Sequence, residues 1–446
     1  MTKYSDESVG KENFDNENFD NESYDVVIVG GGLAGATMAL ALAPLNISIA
    51  VIEAHPYQQE QTQPSFDDRC LALAWSSRQI YQSMGIWKQL AQRDGGGFEA
   101  IKQIHISDRG HLGVTRLEHQ KEGVPALGYV VESRVVGEVL IEQMKQQANI
   151  HLFCPALIEQ IQTTSDDVKI SLKLESLPKK NNYTVKNLSA SLLIVADGVN
   201  SKTRESLGIQ INQRSYGQTA IIANIETEIP HQNVAYERFT DSGPLAILPL
   251  TRHRCSLVWT VRDEQLKEIM ALNDADFTQA LQQRFGYRLG QINKVGKRAS
   301  YPLVLMTIDN NTLAHQNRVA LIGNAAHGVH PVAGQGFNLG LRDISALAEL
   351  IVNEMQTYKS GDPGNKTLLD AYWQWRQADI RQVTNITNSL IKLFSNQSTM
   401  LAMLRNSGLF MTDIISPLKH AIAHEAMGSG MLQGKMSKMA VGQSLF

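Results

Sequence analysis

Short runs of apolar, mostly β-branched residues recur along the chain, and three of them end at glycine-containing turns. The first run occupies residues 25–29 and is followed by the letters GGGLAG. A small apolar stretch then predicts a helix over 34–43, which a proline ends, and a second strand over 48–52. The pattern predicts a strand–turn–helix–strand unit at the start of the fold.

The turn of this unit has the spacing GxGxxG, formed by Gly30, Gly32 and Gly35. Gly30 suits a tight turn, Gly32 lets a pyrophosphate approach the backbone, and Gly35 lets the helix pack on the strand. Glu53 ends the second strand about twenty residues on, where an acidic side chain accepts hydrogen bonds from a ribose. These residues indicate a dinucleotide site without deciding between NAD and FAD.

The second run, LLIVADG, ends at Asp197 and Gly198, and a short polar segment containing Arg204 follows it. The third run, RVALIG, ends at Gly323 and is followed directly by Asn324. Both runs are apolar and of strand length, so we expect two more buried strands, each ending in a turn that faces a nucleotide.

The region 320–341 carries no formal charge and is long enough to span a bilayer. Lipid would then have to bury Asn324, His327, His330, Pro331 and Gln335, although each polar group there needs a partner. We therefore interpret it as a strand, a loop at Pro331, and a helix that opens at Gly334, Gln335 and Gly336. Glycine lets the backbone lie against a ligand, and the N–H groups of a first helical turn favour an electron-rich or anionic group.

The middle and the end of the chain have different patterns. Short β-branched and aromatic runs over 219–261 predict a mostly antiparallel sheet, and residues 107–118 predict a hairpin that joins it. From Thr367 onward, apolar residues recur at helical spacing, among them Ile380 and Val383.

Composition excludes several classes of protein. The formal net charge is −3, and the first 25 residues contain eight acidic residues and two lysines, so the remainder has only a slight basic excess. We expect no nucleic-acid partner. Residues 1–23 contain a tandem ENFDN repeat without apolar periodicity and predict a disordered acidic tail, not a signal peptide. Three widely spaced cysteines suit a reducing cytoplasm and predict no metal site.

The three glycine-containing segments, in this order, resemble those of the class A flavoprotein monooxygenases, the para-hydroxybenzoate hydroxylase group. The resemblance covers nearly all of residues 24–420. The segments SFDDRCLALAWSSRQIYQSMGIW, HISDRGHLG, ERFTDSGPLAILPL, RCSLVW and GKRASYPL further resemble the ubiquinone-biosynthesis hydroxylases of that group. Asn324 stands where most of the group has aspartate, and that branch also has asparagine there.

The resemblance implies an α/β fold: a Rossmann-like FAD-binding domain with an inserted, mostly antiparallel substrate domain and a helical C-terminal region. The predicted boundaries are 24–98, 126–212 and 299–365 for the discontinuous FAD-binding domain, 99–125 and 213–298 for the substrate domain, and 366–446 for the C-terminal region. We expect the chain to be frayed after about residue 428.

The resemblance also implies one bound FAD and assigns its contacts to residues already singled out and a few more. The implied cofactor-binding residues are Gly30, Gly32, Gly35, Glu53, Arg69, Arg134, Asp197, Gly198, Gly323, Asn324, Gly334, Gln335, Gly336, Phe337 and Asn338. NADPH or NADH is the implied transient reductant, because no second GxGxxG follows a strand, and O2 is the co-substrate.

The reaction that the resemblance implies is hydroxylation of an electron-rich phenol through a flavin C4a-hydroperoxide. The protein then needs no nucleophile or metal, only orientation and exclusion of water. Pro331 is expected beside the oxygen-activating face of the flavin. His330, His327 and Tyr216 are candidates for taking the phenol proton.

Two other classes share parts of the pattern. A flavin dehydrogenase or prenyl reductase would carry the same three motifs without consuming O2 stoichiometrically, and a non-catalytic prenyl-binding protein would lack flavin. The implied partner is a polyprenylated phenol. Contact with the inner membrane surface or membership of a ubiquinone-biosynthesis complex is also consistent with the resemblance.

Seven of the fourteen methionines lie in residues 400–446. Methionine suits surfaces that fit a mobile apolar ligand, so this segment would dock the prenyl tail or a partner. The alternative is that Met400, Met403 and Met411 fill core beneath a helix pair.

Overall fold

The computed structural model describes residues 22–57, 69–110, 113–175, 183–309, 317–329, 334–358, 361–394, 412–413, 415–429 and 435–446. The predicted acidic tail to residue 21 lies outside these ranges, as do His330, Pro331, Met400, Met403 and Met411. The prediction placed the tail's end at residue 23. The first strand starts at Glu22, whose carboxylate accepts a hydrogen bond from Lys186 over 2.6 Å, so the tail ends earlier than predicted.

The helices of the described ranges are numbered in chain order. They are α1 (Leu33–Leu42), α2 (Trp75–Ser83), α3 (Ile86–Ala91), α4 (Ser133–Lys145), α5 (Lys202–Ser206), α6 (Asp263–Ala271), α7 (Asp274–Phe285), α8 (Gln335–Thr357), α9 (Lys366–Phe394) and α10 (Ser416–Ala426).

A seven-stranded sheet forms the first layer. Its strands are β1 (Glu22–Val29), β2 (Ile49–Ile52), β8 (Ile150–Phe153), β9 (Ala156–Thr163), β10 (Val168–Glu175), β11 (Tyr183–Val195) and β18 (Val319–Leu321). The order is β8-β2-β1-β11-β10-β9, with β18 on β11, and β1 pairs in parallel with both β2 and β11. All three predicted apolar runs are therefore neighbours, and their glycine turns emerge at one edge of the sheet.

Apolar helices pack on this sheet, and its central strands are buried on both faces. Helices α1, α4 and α8 contribute to one apolar cluster with β1 and β2. Ala36, Met38, Ala39 and Leu42 of α1 are all buried there. The predicted helix over 34–43 is confirmed, beginning one residue earlier and ending before Pro44.

A nine-stranded sheet forms the second layer. Its strands are β5 (Gln103–Asp108), β6 (Val114–Glu118), β12 (Ile211–Thr227), β13 (Val234–Thr240), β14 (Gly243–Pro249), β15 (Arg254–Arg262), β16 (Ile292–Val295), β17 (Ala299–Ile308) and β19 (His327–Gly328). The order is β19-β17-β12-β15-β14-β13-β5-β6, with β16 on β12. The predicted hairpin of residues 107–118 joins this sheet through β5 and β13.

One predicted boundary differs from the observed topology. Residues 299–365 were assigned to the FAD-binding part, but β17 pairs with β12 from Ile211↔Ile308 to Ile222↔Ala299. The long strand β12 holds β17 in the second sheet by main-chain hydrogen bonds. Residues Ala299–Ile308 therefore belong to the second sheet.

A small third sheet lies between the two layers. It consists of β3 (Cys70–Ala74), β4 (Phe98–Ile101) and β7 (Gly128–Glu132), in the order β3-β7-β4. Ile101 and Val130 pack with Ala235 of β13 in one apolar cluster, which Cys70 borders. The third sheet thus connects the dinucleotide unit to the second sheet.

The end of the chain is ordered against the core, which corrects the prediction of a frayed segment. Met439 and Ala440 lie in a 3-10 turn (Met439–Val441) and are buried in the same cluster as α1 and α8. The Ser437 hydroxyl donates to the Ser345 hydroxyl over 2.8 Å, and the Lys438 N–H donates to Glu349. Glycine and serine in this segment suggested fraying, but the apolar side chains between them fill a site on α2 and α8.

Candidate flavin site

The GxGxxG turn connects β1 to α1 and lies against the end of β11. Gly30 has φ +98°, and a Cβ atom there would lie 2.6 Å from the Ala196 carbonyl oxygen. A Cβ at Gly35 would lie 1.8 Å from the Gly30 carbonyl oxygen. Only glycine fits at these positions, and Gly32 places its backbone at the start of α1 without a side-chain cap. The turn can therefore accept an anionic group at the helix N-terminus.

Glu53 is more enclosed than the sequence indicated. Its side chain is buried, and its two carboxylate oxygens accept hydrogen bonds from the N–H groups of Gly31, over 2.7 Å, and His55, over 2.8 Å. The Tyr57 hydroxyl donates to the Gly31 carbonyl over 2.9 Å. Glu53 thus also shapes the glycine turn. A carboxylate keeps further acceptor capacity, so a ribose contact stays a prediction.

Asp197 and Gly198 lie directly against the first turn. Asp197 Oδ2 accepts from the Thr203 N–H over 3.2 Å, while Oδ1 is buried without a hydrogen-bond partner in the described part of the chain. Gly198 has φ +92°, and a Cβ there would meet no atom within 4 Å. A buried acceptor beside open space fits a ligand that donates a hydrogen bond.

Arg204 ties this segment to the third motif. Its guanidinium is buried and donates to the carbonyls of Ala325, over 2.9 Å, and Val199, over 3.0 Å. The sequence predicts no role for Arg204, because a short polar segment does not indicate a contact with a residue more than a hundred positions away.

The third motif forms a 3-10 turn, Gly323–Ala325, held from α8. The Gly323 N–H donates to Asp343 Oδ2 over 2.9 Å, and a Cβ on Gly340 would lie 3.1 Å from the Gly323 Cα. Asn324, the next residue along the turn, has an exposed side chain. Its amide can both donate to and accept from a hydroxyl, so a contact with the flavin's ribityl chain stays a prediction.

Helix α8 begins at the glycine-rich loop, as predicted. Gly334 has φ +63° and no side chain caps the helix. A Cβ there would lie 2.9 Å from the Cβ of Ala72 on β3. Gln335, Gly336 and Phe337, in the first turn, are partly exposed. Their position suits the predicted contact with a planar ring system.

Asn338 uses its side chain within the protein. Its Oδ1 accepts from the Ala74 N–H and the Ser77 hydroxyl, and its Nδ2 donates to the Ala72 and Gly334 carbonyls, all between 2.7 and 2.9 Å. Four hydrogen bonds saturate an amide. The side chain therefore fixes α8 to β3 and has no capacity left for a flavin.

The two arginines predicted to contact the flavin lie in different surroundings. The Arg69 guanidinium lies 4.9 Å from the ring centre of Tyr301, at the junction of the second and third sheets. Arg134 is exposed and pairs with Glu138 over 2.6 Å and with Glu132 over 3.5 Å. Both flavin contacts stay predictions.

Two of the candidate bases have protein partners. His327 Nε2 lies 2.6 Å from Asp343 Oδ2 in a buried site, and the Tyr216 hydroxyl donates to Asn388 over 2.5 Å. Burial alone would raise the pKa of Asp343, but His327 and Arg376 lower it below its ordinary value. His327 therefore supports the Gly323 turn through Asp343. We do not assign it a role in taking a proton from a substrate.

The described turns together fit FAD: a glycine turn at a helix N-terminus, an unpartnered buried Asp197 oxygen, and a glycine start to α8. A family model described as an FAD binding domain matches residues 23–387. The chain belongs to this family, the class A FAD-dependent monooxygenases. Within it, the chain belongs to the hydroxylases of ubiquinone biosynthesis, as its relatives indicate.

Ubiquinone hydroxylase UbiL of Rhodospirillum rubrum is 37% identical over 404 residues, covering 91% of this chain and 89% of that protein. The 3-demethoxyubiquinol 3-hydroxylase of Escherichia coli is 28% identical over 406 residues, covering 90% of this chain and 98% of that protein. The crystal structure of p-nitrophenol 4-monooxygenase PnpA from Pseudomonas putida matches with a TM-score of 0.73 and 16% identity, covering 92% and 99% of the two chains. That structure shows the shared fold.

The described helices include none with the length and apolar character needed to cross a bilayer. The reading of 320–341 as strand, turn and helix agrees with this finding, since its described residues form β18, a 3-10 turn, β19 and the start of α8.

Proposed function

We propose that this protein hydroxylates 2-polyprenyl-6-methoxyphenol para to its hydroxyl group, giving 2-polyprenyl-6-methoxy-1,4-benzoquinol, a precursor of ubiquinone. NADPH or NADH supplies the electrons and O2 the oxygen atom. Bound FAD supplies the oxygen activation, and the chain supplies binding, orientation and exclusion of water.

One observation supports this proposal best: the face of the second sheet that meets the third sheet. Ala235 and Leu248 on that face pack with Ile101 and Val130 of the third sheet. The third sheet in turn contacts Gly334 through Ala72. An apolar face this close to the predicted flavin site suits an aromatic ring with a prenyl substituent.

The segments that resemble the ubiquinone branch also fall in this region. ERFTDSGPLAILPL spans most of β13 and β14, and RCSLVW lies in β15. These segments would therefore line the substrate side of the flavin, where they would determine which ring is accepted.

The main alternative is hydroxylation at a different carbon of the ring. The relative named 3-demethoxyubiquinol 3-hydroxylase favours this alternative. The purified flavoprotein, with NADPH or NADH and a short-chain 2-prenyl-6-methoxyphenol, distinguishes the two. The proposal expects the 1,4-benzoquinol, identified by mass and NMR, with one O2 consumed per product. Oxygen insertion at another carbon would contradict the assigned position, and a reduced prenyl chain without O2 uptake would indicate a reductase.

A further inference from the structure

Strand β13 carries one carboxylate on the face that meets the third sheet. Side chains alternate along a strand, so Glu237 shares a face with Ala235 and Phe239, while Tyr236 lies on the opposite face. Tyr236 packs edge-on against Phe285 of α7, which covers that opposite face. Glu237 therefore lies on the face that looks toward the third sheet and the flavin site.

The immediate neighbours of Glu237 are apolar. It lies opposite Ala246 on β14 and opposite Ile106 on β5. In the described part of the chain it has no hydrogen-bond or ion-pair partner. A carboxylate without a partner in apolar surroundings is costly, and such groups cluster at functional sites.

The side chain is nevertheless partly accessible to solvent. The carboxyl thus lies among apolar neighbours on the two flanking strands and keeps a solvent-accessible part. Burial alone raises the pKa of the Glu237 carboxyl from its usual 4.5 to about 7. A carboxyl with this pKa changes its protonation state near neutral pH.

Other charged groups on elements packed against this face have their own partners or lie elsewhere. The groups concerned are Arg69 and Glu132 at the third sheet, Asp108 on β5, and His420 and His424 on α10. Glu132 accepts from Arg254, Arg69 lies over Tyr301, Asp108 interacts electrostatically with Arg238, and both histidines face Glu122. None of these groups contributes to the shift at Glu237, whose only cause is burial.

We propose that Glu237 is the catalytic base that binds the ring hydroxyl of the phenol and takes its proton. The O–H bond breaks, the proton moves to the carboxylate, and the electron pair stays on the phenol oxygen. This charge raises the electron density at the para carbon, where the oxygen atom is accepted. The assignment rests on the proposed function, because it requires a phenolic substrate.

The test compares the wild-type holoprotein with the E237Q, E237D and E226Q variants on a short-chain 2-prenyl-6-methoxyphenol. E237Q keeps the shape and removes the base, while E237D keeps a carboxylate. E226Q is the matched control, because Glu226 of β12 is exposed in a surface ion pair with Lys294. FAD content and thermal unfolding establish that each variant folds.

We expect wild-type kcat/KM to rise with pH up to about 7 and then level off. In E237Q it should fall about 100-fold, the effect typical of losing a general base, and lose this pH dependence. More NADPH or NADH should be oxidised per product, and E237D should recover part of the rate. Absorbance of the bound phenol supplies a second readout, since its phenolate band should appear at higher pH in E237Q.

Two outcomes separate this assignment from the proposed function. Wild-type hydroxylation with a rate and pH profile that E237Q reproduces would overturn the role of Glu237 alone. A wild-type protein that oxidises NADPH or NADH yet never hydroxylates the phenol at any pH would overturn the proposed function, and the assignment with it.

Discussion

Arg204 and Ala325 are joined by a hydrogen bond of 2.9 Å from the guanidinium to the carbonyl oxygen. This bond links the turn at Asp197 to the turn at Gly323, two motifs that the chain order separates widely. The two turns face the same predicted cofactor. The pairing of β11 with β18 brings the two turns together, and the buried Arg204 side chain adds a direct link between them.

Replacing Arg204 tests this dependence. R204M keeps much of the side-chain length but loses both hydrogen bonds to the carbonyls of Val199 and Ala325. We expect FAD affinity to fall about tenfold, equivalent to about 1.4 kcal/mol, within the range for hydrogen bonds from a charged donor. K202M, an exposed position on the same helix, is the control. Equal FAD dissociation constants for the two variants would contradict the linking role.

Replacing Gly198 tests the predicted cofactor site, and Gly208 is the matched control position. Both have positive φ, +92° and +70°, and a Cβ at either would meet no atom within 4 Å. Replacing either glycine with alanine should therefore introduce a similar backbone strain of about 1 to 2 kcal/mol. G198A should lose more FAD affinity than G208A, because its Cβ enters the space beside Asp197. Titration of each apoprotein with FAD measures the difference, and equal losses would place the cofactor elsewhere.

Glu53 gives a prediction that the structure changes. The sequence predicts a ribose contact for Glu53, so E53A would be expected to weaken FAD binding alone. The structure shows a buried carboxylate holding the N–H groups of Gly31 and His55. We now expect E53A to destabilise the apoprotein by about 1 to 3 kcal/mol as well as weaken FAD binding, since the buried Gly31 N–H and the partly buried His55 N–H lose their acceptor. An apoprotein as stable as wild type, measured by denaturant unfolding, would contradict this account.

The pH dependence of stability reports on Glu237. Its pKa is about 7 when folded and 4.5 ordinarily, so between these values the folded protein holds a proton that the unfolded chain has released. The free energy of unfolding should therefore fall as pH rises from about 4.5 to 7, by on the order of 2 kcal/mol in total. E237Q should lack this decrease, and E226Q should keep it. Chemical unfolding at several pH values, without substrate, gives the comparison.

Met439 and Val441 test the packing of the chain's end. Both lie in the same 3-10 turn, but Met439 is buried and Val441 is half exposed. M439A should cost about 2 to 5 kcal/mol, as buried methionines do, and V441A no more than about 0.5 kcal/mol. Similar small losses for both would mean that this turn does not stabilise the core.

The same packing determines what a truncation at Phe394 would show. Such a truncation would ask whether the methionine-rich segment 400–446 docks a prenyl tail. It would also remove Met439 and Leu445, which lie in the main core cluster. We expect an aggregated or FAD-free protein, whichever role residues 400 and 403 have.

Much of the fold was predictable because its signals are local. Apolar β-branched runs ending in glycine marked β1, β11 and β18, and their order along the chain matched a known family. What could not be predicted depends on distant contacts. Asn338 looked like part of a flavin loop, yet its amide binds Ala72 and Ala74 of a strand more than 260 residues away.

The same limit applies to Glu237. In the sequence it is one glutamate in a mixed strand, and alternation alone does not say which face meets the flavin. The packing of Tyr236 against Phe285 and of Ala235 against Ile101 fixes that face. Glu237 and the exposed Glu226 are the same residue type, and only their neighbours in the folded protein distinguish them.

The buried position of Met439 also has a consequence during synthesis. The core that it completes includes Val26 and Met38, which leave the ribosome long before Met439 does. Part of the flavin-binding core of the nascent chain therefore stays open until Met439 has been synthesised and has emerged. A premature stop codon shortly before Met439 would release a protein that carries every flavin motif but exposes an apolar surface to chaperones and proteases.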